Sequence, residues 1–166
     1  MTSGHLLPRR RPVLRNAGAV ACALGTLLLA GCTSPVEVAA SDPGAQSAAC
    51  TSLIQALPDV VGDQERREVD SPYAAAWGEP AIVLRCGVAR PTDFDALSSC
   101  QITNGVAWFI PDEQITGRAG DIVMTTIGRE PGVEVAIPAD YFPPAGTMVD
   151  VAGPLKEHTE RVERCG

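Results

Sequence analysis

The chain has 166 residues, 45% of them hydrophobic and 20% charged, with 16 Gly, 14 Pro and 4% aromatic residues. That balance suits one modest globular domain rather than a disordered acidic chain or a multi-domain enzyme. A net charge of −7 argues against a nucleic-acid surface, which needs clustered Lys and Arg, and two His leave little for the usual acid–base and metal chemistry.

Residues 1–31 are expected to be a targeting segment. Arg9, Arg10, Arg11 and Arg15 are the only charged side chains before Glu37, and an apolar run, Ala17–Ala30, follows them. At 14 residues, with Gly18 and Gly25 inside it, the run is shorter than the roughly 20 needed to span a bilayer. It ends in Leu29-Ala30-Gly31-Cys32, which resembles the lipobox of bacterial lipoprotein signal peptides. Cleavage there would leave Cys32 as a lipidated N-terminus; the competing reading is an ordinary secretory signal with Cys32 near the cut. Arg10-Arg11-Pro12-Val13-Leu14 also resembles a loose twin-arginine export signal. Removing residues 1–31 takes four of the 13 basic residues and none of the 20 acidic ones, leaving −11. Such a domain should be held off an anionic membrane. Residues 32–49 are expected to comprise the lipidated Cys and a flexible tether, and the 17 residues Thr33–Ala49 would span about 23 Å.

The globular domain is expected over residues 50–166. Cys50, Leu53, Ile54 and Leu57 fall on one face of a first helix, which Pro58 ends. The charged stretch Val61–Ser71 leaves room for an edge strand near Arg67–Val69, and Tyr73–Trp77 reads as a further helical turn before Gly78. Period two then takes over. In Ala81–Val88, Ile82, Leu84, Cys86 and Val88 share one face, with Val83 and Arg85 on the other. A loop containing Pro and Asp follows. Asn104-Gly105, between Cys100–Thr103 and Val106–Ile110, marks a two-residue hairpin. Asp121–Arg129 alternates again, and Glu130-Pro131-Gly132 turns the chain into Val133–Ile137. Thr147–Cys165 returns to helical spacing through Met148, Val151, Leu155 and Val162, with Pro154 as a kink or a second start. The fold class is α+β: a mostly antiparallel sheet of about five strands, with N- and C-terminal helices on one face.

Cys22 leaves with the signal peptide, so Cys50, Cys86, Cys100 and Cys165 remain for two disulfides, with three possible connectivities. The expected pairing is Cys86–Cys100, closing a local loop, and Cys50–Cys165, joining the two ends of the domain. On the chain-entropy model these contribute about 3 and 4.7 kcal/mol. A metal reading is weak, because no Cys-x-x-Cys pair exists and the only mature His is His158.

The search for chemistry is mostly negative. No Ser lies in a Gly-x-Ser-x-Gly elbow, and His158, in Glu157-His158-Thr159-Glu160, reads as a solvated surface residue. The carboxylate pairs Asp93/Asp95 and Asp112/Glu113 read as loop acids. No cofactor and no catalytic residue is assigned. Trp77, Arg85 and Arg129 are the candidate recognition surface, because strand arginines near a large aromatic could grip an anionic or planar group. Their blander readings are internal ion pairs, to Glu79 or Glu134, and core packing; Trp108 is expected in the core.

Ala75-Ala76-Trp77-Gly78-Glu79-Pro80-Ala81-Ile82-Val83-Leu84-Arg85-Cys86-Gly87-Val88 resembles the signature of an actinobacterial exported family catalogued as domain of unknown function 3515. Asn104–Trp108, Thr125–Pro131, Ile137-Pro138 and a leading Cys50 ahead of Leu57-Pro58 are similar to its other blocks. The resemblance implies an envelope location and supplies no reaction. The resulting expectation is a lipid-anchored accessory or binding domain outside the cytoplasmic membrane, with an envelope protein or cell-wall component as partner. The alternative is a small cell-wall-acting hydrolase or transferase.

Overall fold

The computed structural model describes Met1 and residues 34–116 and 120–165. The rest of the signal segment, Cys22 and Cys32 lie outside the described residues. No described helix is long and apolar enough to cross a membrane.

Helix α1, Ser47–Ala56, buries Cys50, Leu53 and Ile54. Pro58 cannot continue it, and Arg66 closes its end: the two terminal guanidinium nitrogens donate to the Leu57 carbonyl (2.9 Å) and the Ile54 carbonyl (2.7 Å). Strands β1 (Val60–Val61), β2 (Gln64–Arg67), β3 (Ala74–Trp77) and β4 (Ile82–Cys86) then form a continuous antiparallel meander. The expected helical turn at Tyr73–Trp77 is therefore a strand. Residues Ala74–Trp77 are buried throughout, so no alternation marked them, and the local preference of Ala for helix yielded to pairing with β4.

After β4 the chain crosses to the far edge and returns. Strands β5 (Gln101–Thr103) and β6 (Val106–Phe109) form the hairpin expected at Asn104-Gly105, with φ of 49° and 83° at the two turn residues. A short helix, α2 (Asp112–Thr116), precedes β7 (Ile122–Ile127). Strand β8 (Arg129–Glu130) leaves the main sheet, and β9 (Val133–Ile137) returns to its centre between β4 and β7. The main sheet has eight strands in the order β1-β2-β3-β4-β9-β7-β6-β5, more than the five or so expected. All its pairings are antiparallel.

Helix α3, Ala145–His158, runs through Pro154 without ending and packs on α1. The two helices share one face of the sheet, where Ile82, Leu84, Trp108, Met124, Val135 and Leu155 join one core. Trp77 and Trp108 are both fully buried there. The Trp77 indole N–H donates to the Pro58 carbonyl at 3.0 Å, whereas that of Trp108 has no acceptor among the described residues.

Past His158 the structure departs from the expected helix. Thr159 is extended, β10 (Glu160–Arg161) pairs antiparallel with β8, and Val162 is exposed rather than buried. The cause lies at Gly128, whose φ is +69° and whose carbonyl accepts the Val162 N–H at 3.0 Å. The tail crosses so closely that any Cβ at position 128 would collide with the Glu163 carbonyl oxygen.

Cys50, Cys86, Cys100 and Cys165 form two disulfides, but not the expected Cys86–Cys100 and Cys50–Cys165: the pairs are Cys50–Cys86 and Cys100–Cys165. Topology decides the matter. β4 and β5 stand four strand spacings apart in the sheet, about 19 Å, beyond the reach of a Cys86–Cys100 bridge. Cys86 faces the helices, where α1 presents Cys50 with the Cα atoms 5.5 Å apart. The folded-back tail brings Cys165 to Cys100 at the start of β5. Because loop-closure entropy grows slowly with length, it could not override these placements.

The segment expected to be a free tether is also packed. Val36 forms a parallel bridge with Val69, donating its N–H to the Glu68 carbonyl at 2.9 Å. Asp70 accepts the Val38 N–H at 3.2 Å, and Pro43 is buried before a 3-10 turn, Gly44–Gln46, leads into α1. Residues from Val36 onward thus form a strap on the domain.

Candidate functional site: an arginine-lined corner

The three residues proposed from sequence as one recognition surface do not form it. Trp77 is core. Arg85 projects from the sheet face opposite Cys86 and meets Glu134, its register partner on β9, through Nε at 3.1 Å and a terminal nitrogen at 2.5 Å. Its other terminal nitrogen reaches the Ala39 carbonyl of the strap at 3.5 Å. Arg85 is thus a structural ion-pair residue under the strap, and Glu79 is paired separately with Arg67.

Arg129 behaves differently. It emerges immediately after the Gly128 crossing and meets no carboxylate among the described residues. One terminal nitrogen donates to the Thr159 carbonyl and to its hydroxyl, both at 3.1 Å; the other donates to the Gly105 carbonyl at 3.4 Å. Burial first, and then the like charge of Arg161, hold the Arg129 guanidinium below its ordinary pKa. These neutral acceptors position the cation without cancelling it.

Two further arginines join it. Arg161 is the register partner of Arg129 across the β8–β10 ribbon, and Arg164 follows on the tail just before the Cys100–Cys165 staple. All three line a cleft of about 190 Å³. Neither the Arg161 nor the Arg164 guanidinium has a hydrogen bond or ion pair to another described residue. The remaining acid at the cleft, Glu163, faces Arg90 at 2.5 Å in the adjoining depression. Lys156 approaches the same corner, its Cδ 3.8 Å from the position a Gly105 side chain would take. An acidic chain therefore concentrates unpaired positive charge at one place.

The floor of the cleft is apolar and built by register. Ile102, Ala107 and Ile127 are opposite one another on β5, β6 and β7, and so share the sheet face away from the helices. Ile102 is 69% exposed, whereas Ile127 beneath the corner is buried. Sequence spacing could not show this site. The spacing puts Arg161 and Arg164 on a helix over Thr147–Cys165, and the one local sign that another backbone comes close is Gly128, inside an otherwise strand-like run.

The other sequence candidates lie apart. His158 is half-buried in a shallow groove with Glu157, Glu160 and Glu130. Asp95 caps its own loop, accepting from the Leu97 N–H and the Ser98 hydroxyl, and these hydrogen bonds hold its carboxyl below the usual range. Asp112 and Glu113 open α2 and are exposed. Among the described residues no group of three or more His, Cys, Asp or Glu is arranged to hold a metal ion.

No curated protein and no solved structure matches the chain. A family model described as "Protein of unknown function (DUF3515)" matches residues 17–163, nearly the whole chain, with the strap, Arg129 and Arg161 inside the match and Arg164 just beyond it. The chain belongs to the DUF3515 family.

Proposed function

We propose that this chain is a lipid-anchored, extracytoplasmic binding or accessory protein of the bacterial cell envelope, recognising its partner through the Arg129–Arg161–Arg164 corner. The observation that carries the binding reading is the corner itself: three guanidinium groups without a carboxylate partner among the described residues, beside an apolar floor of which Ile102 is exposed. The anchor reading is supported by Leu29-Ala30-Gly31-Cys32 behind a basic segment, and the exported location by two disulfides in a small domain. The strap starts at the far end of the sheet from the corner and reaches the corner's side only at Gln46, whose side-chain amide donates to Glu130 at 3.2 Å. Val69, which the strap joins, follows β2, whereas the corner borders β5, six strand spacings or about 29 Å away.

Fractionation of cells carrying Cys32→Ala tests the anchor. The variant should leave the membrane fraction for the soluble or precursor pool, and its N-terminal peptide should lose the acyl mass. Unchanged maturation and membrane association in Cys32→Ala would overturn it.

A further inference from the structure

We propose that the Arg129–Arg161–Arg164 cleft binds a phosphate-type oxyanion bearing a small apolar group. The inference rests on reading this domain as a binding module and is independent of the lipid anchor. Its basis is donor geometry. Arg161 and Arg164 are exposed, and each presents a guanidinium fork with no acceptor among the described residues. A carboxylate has two oxygens and satisfies one fork, whereas a tetrahedral phosphate can meet two forks and still face a third cation.

Arg129 supplies that third cation from a fixed position. Three hydrogen bonds to neutral acceptors hold its terminal nitrogens, so an arriving anion need not order that side chain. The burial that lowers its pKa also strengthens its attraction for a dianion. Glu163, the carboxylate that would oppose anion binding, is neutralised by Arg90.

The rest of the ligand is set by the floor. Ile102, Ala107 and Ile127 offer only apolar side chains next to the guanidinium groups, so the anion's substituent should be hydrocarbon rather than sugar-like. About 190 Å³ accommodates the phosphate and the first few carbons of its substituent, with the cleft open to solvent beyond them. A lipid headgroup region and a short soluble phosphate ester share this chemistry.

Titration calorimetry on the purified full-length protein with acetate, inorganic phosphate, butyl phosphate and dihexanoyl phosphatidic acid tests the proposal. Butyl phosphate or phosphatidic acid should bind more tightly than inorganic phosphate, and all three more tightly than acetate. Tighter binding of phosphatidic acid assigns a lipid source; equal or tighter binding of butyl phosphate assigns a soluble ester. Arg161→Ala/Arg164→Ala should weaken binding at least about tenfold with Tm unchanged, as expected for losing charge-assisted contacts. Arg85→Ala should bind normally. Absence of phosphate binding, equal affinity for acetate, equal affinity for inorganic phosphate and its esters, or full binding by the double variant would each overturn it. A failed titration with normal Cys32-dependent anchoring would remove the ligand and leave the anchor standing.

Discussion

Arg129 and Thr159, 30 residues apart in the chain, are joined by two hydrogen bonds of 3.1 Å from a single guanidinium nitrogen. The contact ties the sheet to the end of α3, where the chain stops being helical. The Thr159 hydroxyl in turn donates to the Leu155 carbonyl at 2.5 Å, so helix end, tail and arginine form one unit. Arg129 therefore has two roles, holding the corner together and contributing charge to it. Arg129→Ala should lower stability by about 1–3 kcal/mol, because buried acceptors lose their donor. Denaturant unfolding checks this: an unchanged midpoint would separate Arg129 from the architecture.

Arg85 and Glu134 are expected to act on stability alone. Their side chains are 25% and 22% exposed, so solvent screens the pair only partly. Arg85→Ala leaves Glu134 unpaired and should cost about 1–3 kcal/mol, while Arg85→Ala/Glu134→Ala should cost less than the two single changes combined. A double-mutant cycle measured by urea unfolding reads the coupling directly. Zero coupling would mean that the ion pair is fully solvated.

Gly128→Ala should open the corner. The new methyl meets the Glu163 carbonyl oxygen, and positive φ adds about 1–3 kcal/mol of strain. The Val162 amide, now bonded to the Gly128 carbonyl, should lose hydrogen-exchange protection while amides in β4 and β9 keep theirs. Retained protection at Val162 would show that the tail does not depend on this crossing.

Non-reducing peptide mapping should recover Cys50 linked to Cys86 and Cys100 linked to Cys165. The sequence separations of 36 and 65 put their chain-entropy contributions at about 3.8 and 4.3 kcal/mol. Their local effects should differ. Cys50→Ser/Cys86→Ser disrupts the packing of α1 on the core, whereas Cys100→Ser/Cys165→Ser frees Arg164 and should weaken anion binding. A Cys86–Cys100 peptide would contradict the sheet order.

The tryptophans offer a comparison between similar cavities. Trp77→Phe leaves the Pro58 carbonyl without its donor, whereas Trp108→Phe removes a donor that has no acceptor among the described residues. Trp77→Phe should therefore be the more destabilising, by about 1–3 kcal/mol. Thermal unfolding of both variants checks the order.

What could be read from sequence follows from how local each signal was. Asn104-Gly105 specifies its hairpin because both turn residues need positive φ, and Val133–Ile137 alternates cleanly because one face is core and the other is not. Ile82, Leu84 and Cys86 were assigned to the buried face for the same reason. Ala74–Trp77 had no such signal, being buried on both sides. The insertion of β9 between β4 and β7 is set by long-range pairing, and the disulfide pattern follows from it. The strap was read as tether because its Ala-, Ser- and Pro-rich composition resembles a linker; bonds to Glu68 and Asp70 hold it down. Arg129 is visible in the sequence as a strand arginine, but its companions arrive on a tail that folds back over a glycine. No periodicity records that.

The central claim, recognition at the corner, is tested most directly by photocrosslinking in cells, with a photoreactive residue replacing Ile102 on the cleft floor or Val60 on the opposite edge strand. Both native residues are exposed, so neither replacement disturbs the core. Position 102 should yield a phosphorus-bearing adduct by mass spectrometry that disappears in Arg161→Ala/Arg164→Ala, and position 60 should yield none. An adduct at position 102 that survives loss of both arginines, or an equal adduct at position 60, would contradict the account.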